Sequence, residues 1–268
     1  SPLIQKNSQS LAHIYSTHEH EIPIRMRTFY YYIDQRILTA RNIDLPRKVR
    51  YKPRKVKKTP KDTTIRKGRT YTDFIQYLED HPGTPVVEID SVIGTKGTSV
   101  LLTLLFRECH LMIAFKREAN TAESVIQIFD EFEKILGYKV FCELFPIILT
   151  DNGSEFSNPE AIETNAIGQP RTRVFFCDPR AAQQKGKLEN NHTLIRRLIP
   201  QGTSFDRYSQ EDIQLMINHI NSYYRAELRN KTPYQIASLL IGAETLKKLG
   251  CIPVAADEVC LNPSLFKK

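Results

Sequence analysis

Residues 85–116 read PVVEIDSVIGTKGTSVLLTLLFRECHLMIAFK, and three apolar runs in this stretch decide the fold. Val86, Val87 and Ile89 lead into a turn containing Gly94 and Gly97, which makes the first run a strand that Asp90 closes. Residues 99–106, SVLLTLLF, are almost continuously apolar, the pattern of a strand buried on both faces. HLMIAFK, 110–116, follows after the short link Arg107-Glu108-Cys109, so the second and third runs form a hairpin.

Outward from this meander the pattern changes period. Asn120, with Glu123 three residues on, predicts a capped helix. That helix runs to Leu136 with Val125, Ile128, Phe129, Phe132, Ile135 and Leu136 inward, and Gly137 ends it. PIILTD (146–151) and TRVFFCD (172–178) read as two further short strands. A long helix follows over 183–198, closed by Pro200 and Gly202. Ser209 caps another helix to about Arg225, and Thr232-Pro233 opens one more. Strands that arrive first as a meander and then alternate with helices predict an α/β fold, a mixed five-stranded sheet covered by helices.

Toward the N-terminus, Leu11, Ile14 and Tyr15 share a helical face, as do Met26, Phe29, Tyr30, Ile33 and Ile37 in a second helix over 25–38. Two short helices around a turn are compatible with a helix-turn-helix DNA reader or with a plain helical bundle. The expected organisation is a helix-turn-helix-like segment at 1–45, a basic extended linker at 46–70, a catalytic core at 71–240 and a C-terminal extension at 241–268. Residue 1 is Ser, which fits a fragment of a longer protein.

The net charge of +8 is concentrated in one place. Arg47–Thr70 contains 12 Lys or Arg and one acid, a local +11, so the remainder carries 8 − 11 = −3. Such a block is drawn to a polyanion by counterion release. Pro46, Pro53 and Pro60 keep it extended. The five cysteines form no C-x-x-C pair, and read as reduced thiols of an intracellular protein. No apolar run reaches the ~20 residues that a membrane span needs.

Three acids stand out by position. Asp90 ends the first strand, Asp151 ends the fourth and opens Asp151-Asn152-Gly153-Ser154, and Glu189 lies on the helix after the fifth. Each alone has a plainer reading, since Asp-Asn-Gly is a good turn and a helical Glu is often exposed. Together they fit a site at the ends of neighbouring strands. Converging carboxylates repel unless cations join them, and oxygen ligands suit Mg²⁺, with Mn²⁺ as a substitute. On the last helix Lys185, Glu189, His192 and Arg196 fall on one face, with Leu188, Ile195 and Leu198 as the inward stripe. Arg180, Lys185, Lys187, His192 and Arg196 are the expected DNA contacts of the core, and Arg47, Lys48, Arg50, Lys52, Arg54 and Lys55 those of the linker.

VVEIDSVIG, LTDNGSEF and FCDPRAAQQKGKLENNHTLIRR resemble the DDE motif regions of bacterial insertion-sequence transposases, above all the family typified by insertion sequence thirty. DLPRKVRYKPRK, IPQGTSFDRYS and NKTPYQI are similar to the same family, so the resemblance runs to about residue 240. Retroviral integrases resemble the chain more distantly, through DPRAAQQKGKLEN. The resemblance implies an RNase H-like fold with Asp90, Asp151 and Glu189 holding two Mg²⁺ ions. Asp90 would bridge both, and Asp151 and Glu189 would each complete one. Arg196 matches a basic position near the transposon end. The implied activity is strand cleavage at element ends and strand transfer on double-stranded DNA, by at least a dimer, in the bacterial cytoplasm at the nucleoid. A plain nuclease of the same fold and a catalytically silent DNA-binding descendant are the rival expectations.

Overall fold

The computed structural model describes residues 2–5, 11, 14, 15, 19–45, 64–95, 97, 99–179 and 181–266. The chain divides into two compact units, 1–61 and 62–268.

In the first unit, helix α1 (Met26–Asp34) packs Ile33 against Ile4, Leu11, Ile14, Ala40 and Leu45. Leu11, Ile14 and Tyr15 are helical, and the Tyr15 hydroxyl donates to the Ile24 carbonyl at 2.7 Å. Helix α1 is shorter than expected: it stops at Asp34, Arg36 takes a positive φ of 60°, and Ile37 is exposed. Most of the expected linker, including Arg47, Lys48, Arg50, Lys52, Arg54 and Lys55, lies outside the described residues.

The second unit is built on a five-stranded mixed sheet. Its strands are β1 (Val86–Ile93), β2 (Val100–Phe106), β3 (Met112–Arg117), β4 (Ile147–Thr150) and β5 (Arg173–Phe176), in the order β3-β2-β1-β4-β5. The first three pair antiparallel, and β4 and β5 add in parallel on the other side of β1. This is the mixed five-stranded, helix-flanked sheet expected from the sequence.

Helices cover both faces. Helix α2 (Tyr71–Asp80) starts at a Thr70–Asp73 capping box and packs Phe74 on Phe175. Helix α3 (Ala122–Leu136) and α4 (Tyr138–Leu144) bury Phe129, Phe132 and Phe141 against Val87, Ile89, Leu102, Leu104 and Ile148. Helices α6 (Gly186–Leu198) and α7 (Gln210–Asn221) cover the opposite face, on Val92, Leu101, Leu105 and Met112. Between α4 and α6 the chain makes β4, the short helix α5 (Pro159–Glu163) and β5.

Several boundaries differ from expectation for local reasons. Thr121, not Asn120, caps α3, because the Asn120 Oδ1 accepts from Arg117 at 2.7 Å. Helix α7 stops at Asn221, after which Arg225 bridges to Lys231. The basic segment ends in a 3-10 turn at Thr64–Arg66, and Arg69 pairs with Glu163 at 2.6 Å, so its last residues dock on the core. The C-terminal residues are likewise part of the core. Helix α8 (Pro233–Leu240) and α9 (Ala243–Lys248) bring Ala237, Leu246, Leu249 and Cys251 onto the α3 side, and Leu261, Leu265 and Phe266 pack on the α6 side. Cys109, Cys177 and Cys251 are buried free thiols, each pushed up to about 12 chiefly by burial. Among the described residues no helix is long and apolar enough to cross a membrane.

Candidate active site

Strand parity and register build the first half of the site. Side chains alternate across a sheet. Val87 and Ile89 face α3, so Glu88, Asp90 and Val92 face α6. In β4, Ile148 faces α3 while Ile147 and Leu149 face the other way, which gives Asp151 the same face as Asp90. The β1–β4 register pairs Val86 with Ile147 and Glu88 with Leu149. Continued two residues, it sets Asp90 beside Asp151.

Asp90 does not end its strand. Strand β1 runs on to Ile93 along β2, with Asp90 opposite Thr103, whereas β4 stops at Thr150. The two aspartates therefore stand at a fork, where β1 has lost its neighbour on one side only. Asp90 is half-buried and its carboxyl is held above the ordinary value. Burial is the main cause, the Asp151 charge adds to it, and Lys185 opposes it. Asp151 Oδ1 accepts from Gly153 N at 2.8 Å, so this side chain also caps its own turn. A Cβ on Gly153 would come within 2.5 Å of the buried Glu155 carboxylate, the far end of a side chain that would have to shift. At the far end of β1, a Cβ on Gly94 would lie 2.2 Å from the Thr203 carbonyl, so only glycine lets the α6–α7 loop come this close.

Helix α6 lies over this face and is anchored on β1. The Glu88 carboxylate, only 1% exposed, accepts from Arg107 Nε at 2.8 Å and from the Leu188 backbone N–H at 3.2 Å. Further along, Arg196 Nη2 donates to the Ile93 carbonyl at 2.7 Å and its guanidinium lies over the Phe205 ring.

His192 points inward at Thr103, 2.8 Å from Nε2 to Oγ1. The Thr103 proton goes to the Asp90 carbonyl at 3.1 Å, so the hydroxyl accepts from a neutral Nε2–H imidazole. Burial pulls the His192 pKa down to about 4, and Lys185 and Arg196 add to the shift.

Three residues expected to face DNA are thus turned to the sheet. Lys185 is buried, with Nζ 3.1 Å from the Ile89 carbonyl and 3.3 Å from Asp90 Oδ2. His192 and Arg196 bond to β2 and β1 as described. The physical reason is that polar groups on the sheet give these side chains partners, so the inward face of α6 is partly polar. Lys187 is exposed, with Nζ 3.1 Å from the Arg107 carbonyl, and Arg180 lies outside the described residues.

Glu189 is exposed. Among the described residues, no three or more His, Cys, Asp or Glu side chains are grouped closely enough to hold a metal ion, so Glu189 does not join the two aspartates in this structure. The donor set still fits a hard divalent cation. Two carboxylates share one face at the fork, one of them with its charge disfavoured by burial and by the other, and a cation would relieve both effects.

Sequence reasoning missed Glu88, Thr103 and Arg117. Buried Arg117 links the residue after Asp90 to α3: it donates to Ser91 Oγ at 2.7 Å and to Ser124 Oγ at 2.9 Å. A polar residue that shares the strand parity of buried apolar neighbours is the signal that could have found all three.

No family model matches the chain. It is 32% identical over 199 residues to the probable transposase for insertion-like sequence element IS1161 of Streptococcus salivarius, covering 73% of this chain and 53% of that protein. It is 34% identical to the transposase for insertion sequence element IS1086 of Cupriavidus metallidurans, over 59% of this chain and 44% of the relative. It is 31% identical to the InsI transposase of insertion sequence element IS30C of Escherichia coli K12, over 56% and 37%. The chain spans about half the length of these curated relatives or less. Among solved structures it is similar to the catalytic core domain of BIV integrase, at 21% identity and a TM-score of 0.41, over 57% of this chain and 93% of that one. The chain is a relative of insertion-sequence transposases.

Proposed function

We propose that this relative of insertion-sequence transposases is itself the catalytic part of a DNA transposase, with Asp90, Asp151 and Glu189 as its acidic triad. The observation that carries the reading is the fork, where register and parity put Asp90 and Asp151 side by side on the face that α6 covers. Asp90, Asp151 and Glu189 would hold two divalent ions, Mg²⁺ or Mn²⁺ in its place. Ions held there would activate the attacking oxygen of phosphodiester chemistry and stabilise the leaving one.

The chain's own residues supply the frame. Glu88 fixes the start of α6 over β1, and Thr103 and His192 hold the strand behind Asp90. Arg117 holds Ser91 from the other face. The N-terminal helical unit and the basic segment would engage double-stranded DNA at the element ends, where two copies of the protein would act together.

The test is strand transfer in Mn²⁺, from labelled duplexes copied from the element's ends into a supercoiled plasmid. Wild type should give joined product. Asp90→Asn, Asp151→Asn and Glu189→Gln should each lower it by roughly a thousandfold or more, as removal of one member of a cooperating set does. Cleavage without joining would mark a nuclease, and full activity in any variant would sink the triad. DNA binding with neither cleavage nor metal binding would mark a silent descendant.

A further inference from the structure

Lys185 lies inside the site, and its surroundings are specific. Its side chain is 7% exposed. A buried ammonium is tolerated only with compensating partners, and Lys185 has a backbone carbonyl at 3.1 Å and the Asp90 carboxylate at 3.3 Å. The cation beside Asp90 is therefore supplied by the chain itself. Asp151 stands beside Asp90, and this ammonium offsets the repulsion between the two neighbouring carboxylates.

The position of Lys185 in the chain adds a mechanical consequence. It closes the 3-10 turn Ala182–Lys185, which runs directly into the first turn of α6. Glu189 follows four residues later. On an ideal helix Glu189 lies about 20° round from Arg196 and about 60° from His192, and both of those side chains bond to the sheet. Glu189 is on the right side of the helix and still exposed. The first turn of α6 is thus held at Lys185 with its glutamate outside.

We propose that Lys185 is a stand-in cation: it neutralises Asp90 while no divalent ion is bound, and gives up that carboxylate oxygen when one binds, which frees the first turn of α6 to bring Glu189 in. The inference rests on Asp90 and Asp151 being metal ligands. An ammonium and a divalent ion repel each other at one carboxylate oxygen, so each weakens the other's hold by the same factor. The bond to the Ile89 carbonyl remains available to Lys185 in both states.

The test is Mn²⁺ binding to the full chain, followed by the electron paramagnetic resonance signal of free Mn²⁺. The proteins are wild type, Lys185→Gln, Lys185→Arg and the control Asp90→Asn, each checked by circular dichroism. Lys185→Gln keeps a donor for the Ile89 carbonyl and loses the charge, so it should bind Mn²⁺ about tenfold more tightly, a usual size for two coupled ligands. Lys185→Arg keeps the charge and should stay close to wild type, and Asp90→Asn should lose the binding. Should Lys185→Gln not fold without metal, Mn²⁺ must restore its fold. Equal or weaker binding by a folded Lys185→Gln, or no rescue of an unfolded one, overturns the proposal while leaving the metal site intact. Absence of Mn²⁺ binding in every protein overturns the metal reading and this proposal together.

Discussion

The two halves of the candidate site are built by different means. At the β1/β4 fork, hydrogen-bond register and side-chain alternation fix where Asp90 and Asp151 stand, and neither can move without slipping a strand that is buried on both faces. At the start of α6 the position of Glu189 depends on buried Leu188 and on side-chain contacts, Glu88 to the Leu188 N–H, Lys185 to Asp90 and Lys187 to the Arg107 carbonyl. A sheet gives pre-set geometry. A helix end tied by polar contacts gives geometry that another cation can change. The aspartates share one face at the fork and the glutamate stands outside it, which follows from this difference.

The comparison can be broken at the tie. Glu88→Gln removes the charge that Arg107 and the start of α6 share, in a place that is 1% exposed. We expect a loss of about 3 kcal/mol in stability, the low end for breaking a buried pair because Arg107 is itself partly exposed. A urea midpoint series measures it. The fork should survive, so Mn²⁺ should still bind to whatever fraction is folded. A loss under about 0.5 kcal/mol would mean that the tie does not hold α6.

It can be sharpened at His192, which meets the sheet rather than DNA. Its folded pKa of about 4 lies below the unfolded value near 6.5. The unfolded chain therefore takes up the proton first as pH falls. The contribution of His192 is fully present above about pH 6.5 and is lost as pH falls from there through about 4, up to ~3 kcal/mol in all. The quantity to read is the difference between wild type and His192→Gln, because Asp90, with its raised pKa, titrates in the opposite sense. An identical pH dependence in the two proteins would place His192 in solvent.

Much of this was legible in the sequence. The five strands and helix α3 were, because apolar runs and apolar periodicity report burial directly. Asp90 was found but placed at a strand end, since nothing in VVEIDSVI says that β4 stops while β2 continues. Helix α2 is hard to read because half of Tyr71–Asp80 is polar and only Phe74 is fully buried. The face of α6 was misread for a related reason. Amphipathic reading sends Lys185, His192 and Arg196 outward, and it cannot see the Asp90 carboxylate, the Thr103 hydroxyl and the Ile93 carbonyl that bond them to the sheet. Partners distant in sequence overrode local pattern at these positions.

The most direct test of the account is the Mn²⁺ isotherm of the DNA-free protein, compared among wild type, Asp90→Asn, Asp151→Asn and Glu189→Gln. With a fork that is already built and a glutamate that joins later, both aspartate variants should lose most of the binding, and Glu189→Gln should weaken it by less than about tenfold, short of a full coupling. Binding that survives Asp90→Asn and Asp151→Asn, or that falls as far with Glu189→Gln as with Asp90→Asn, would contradict it.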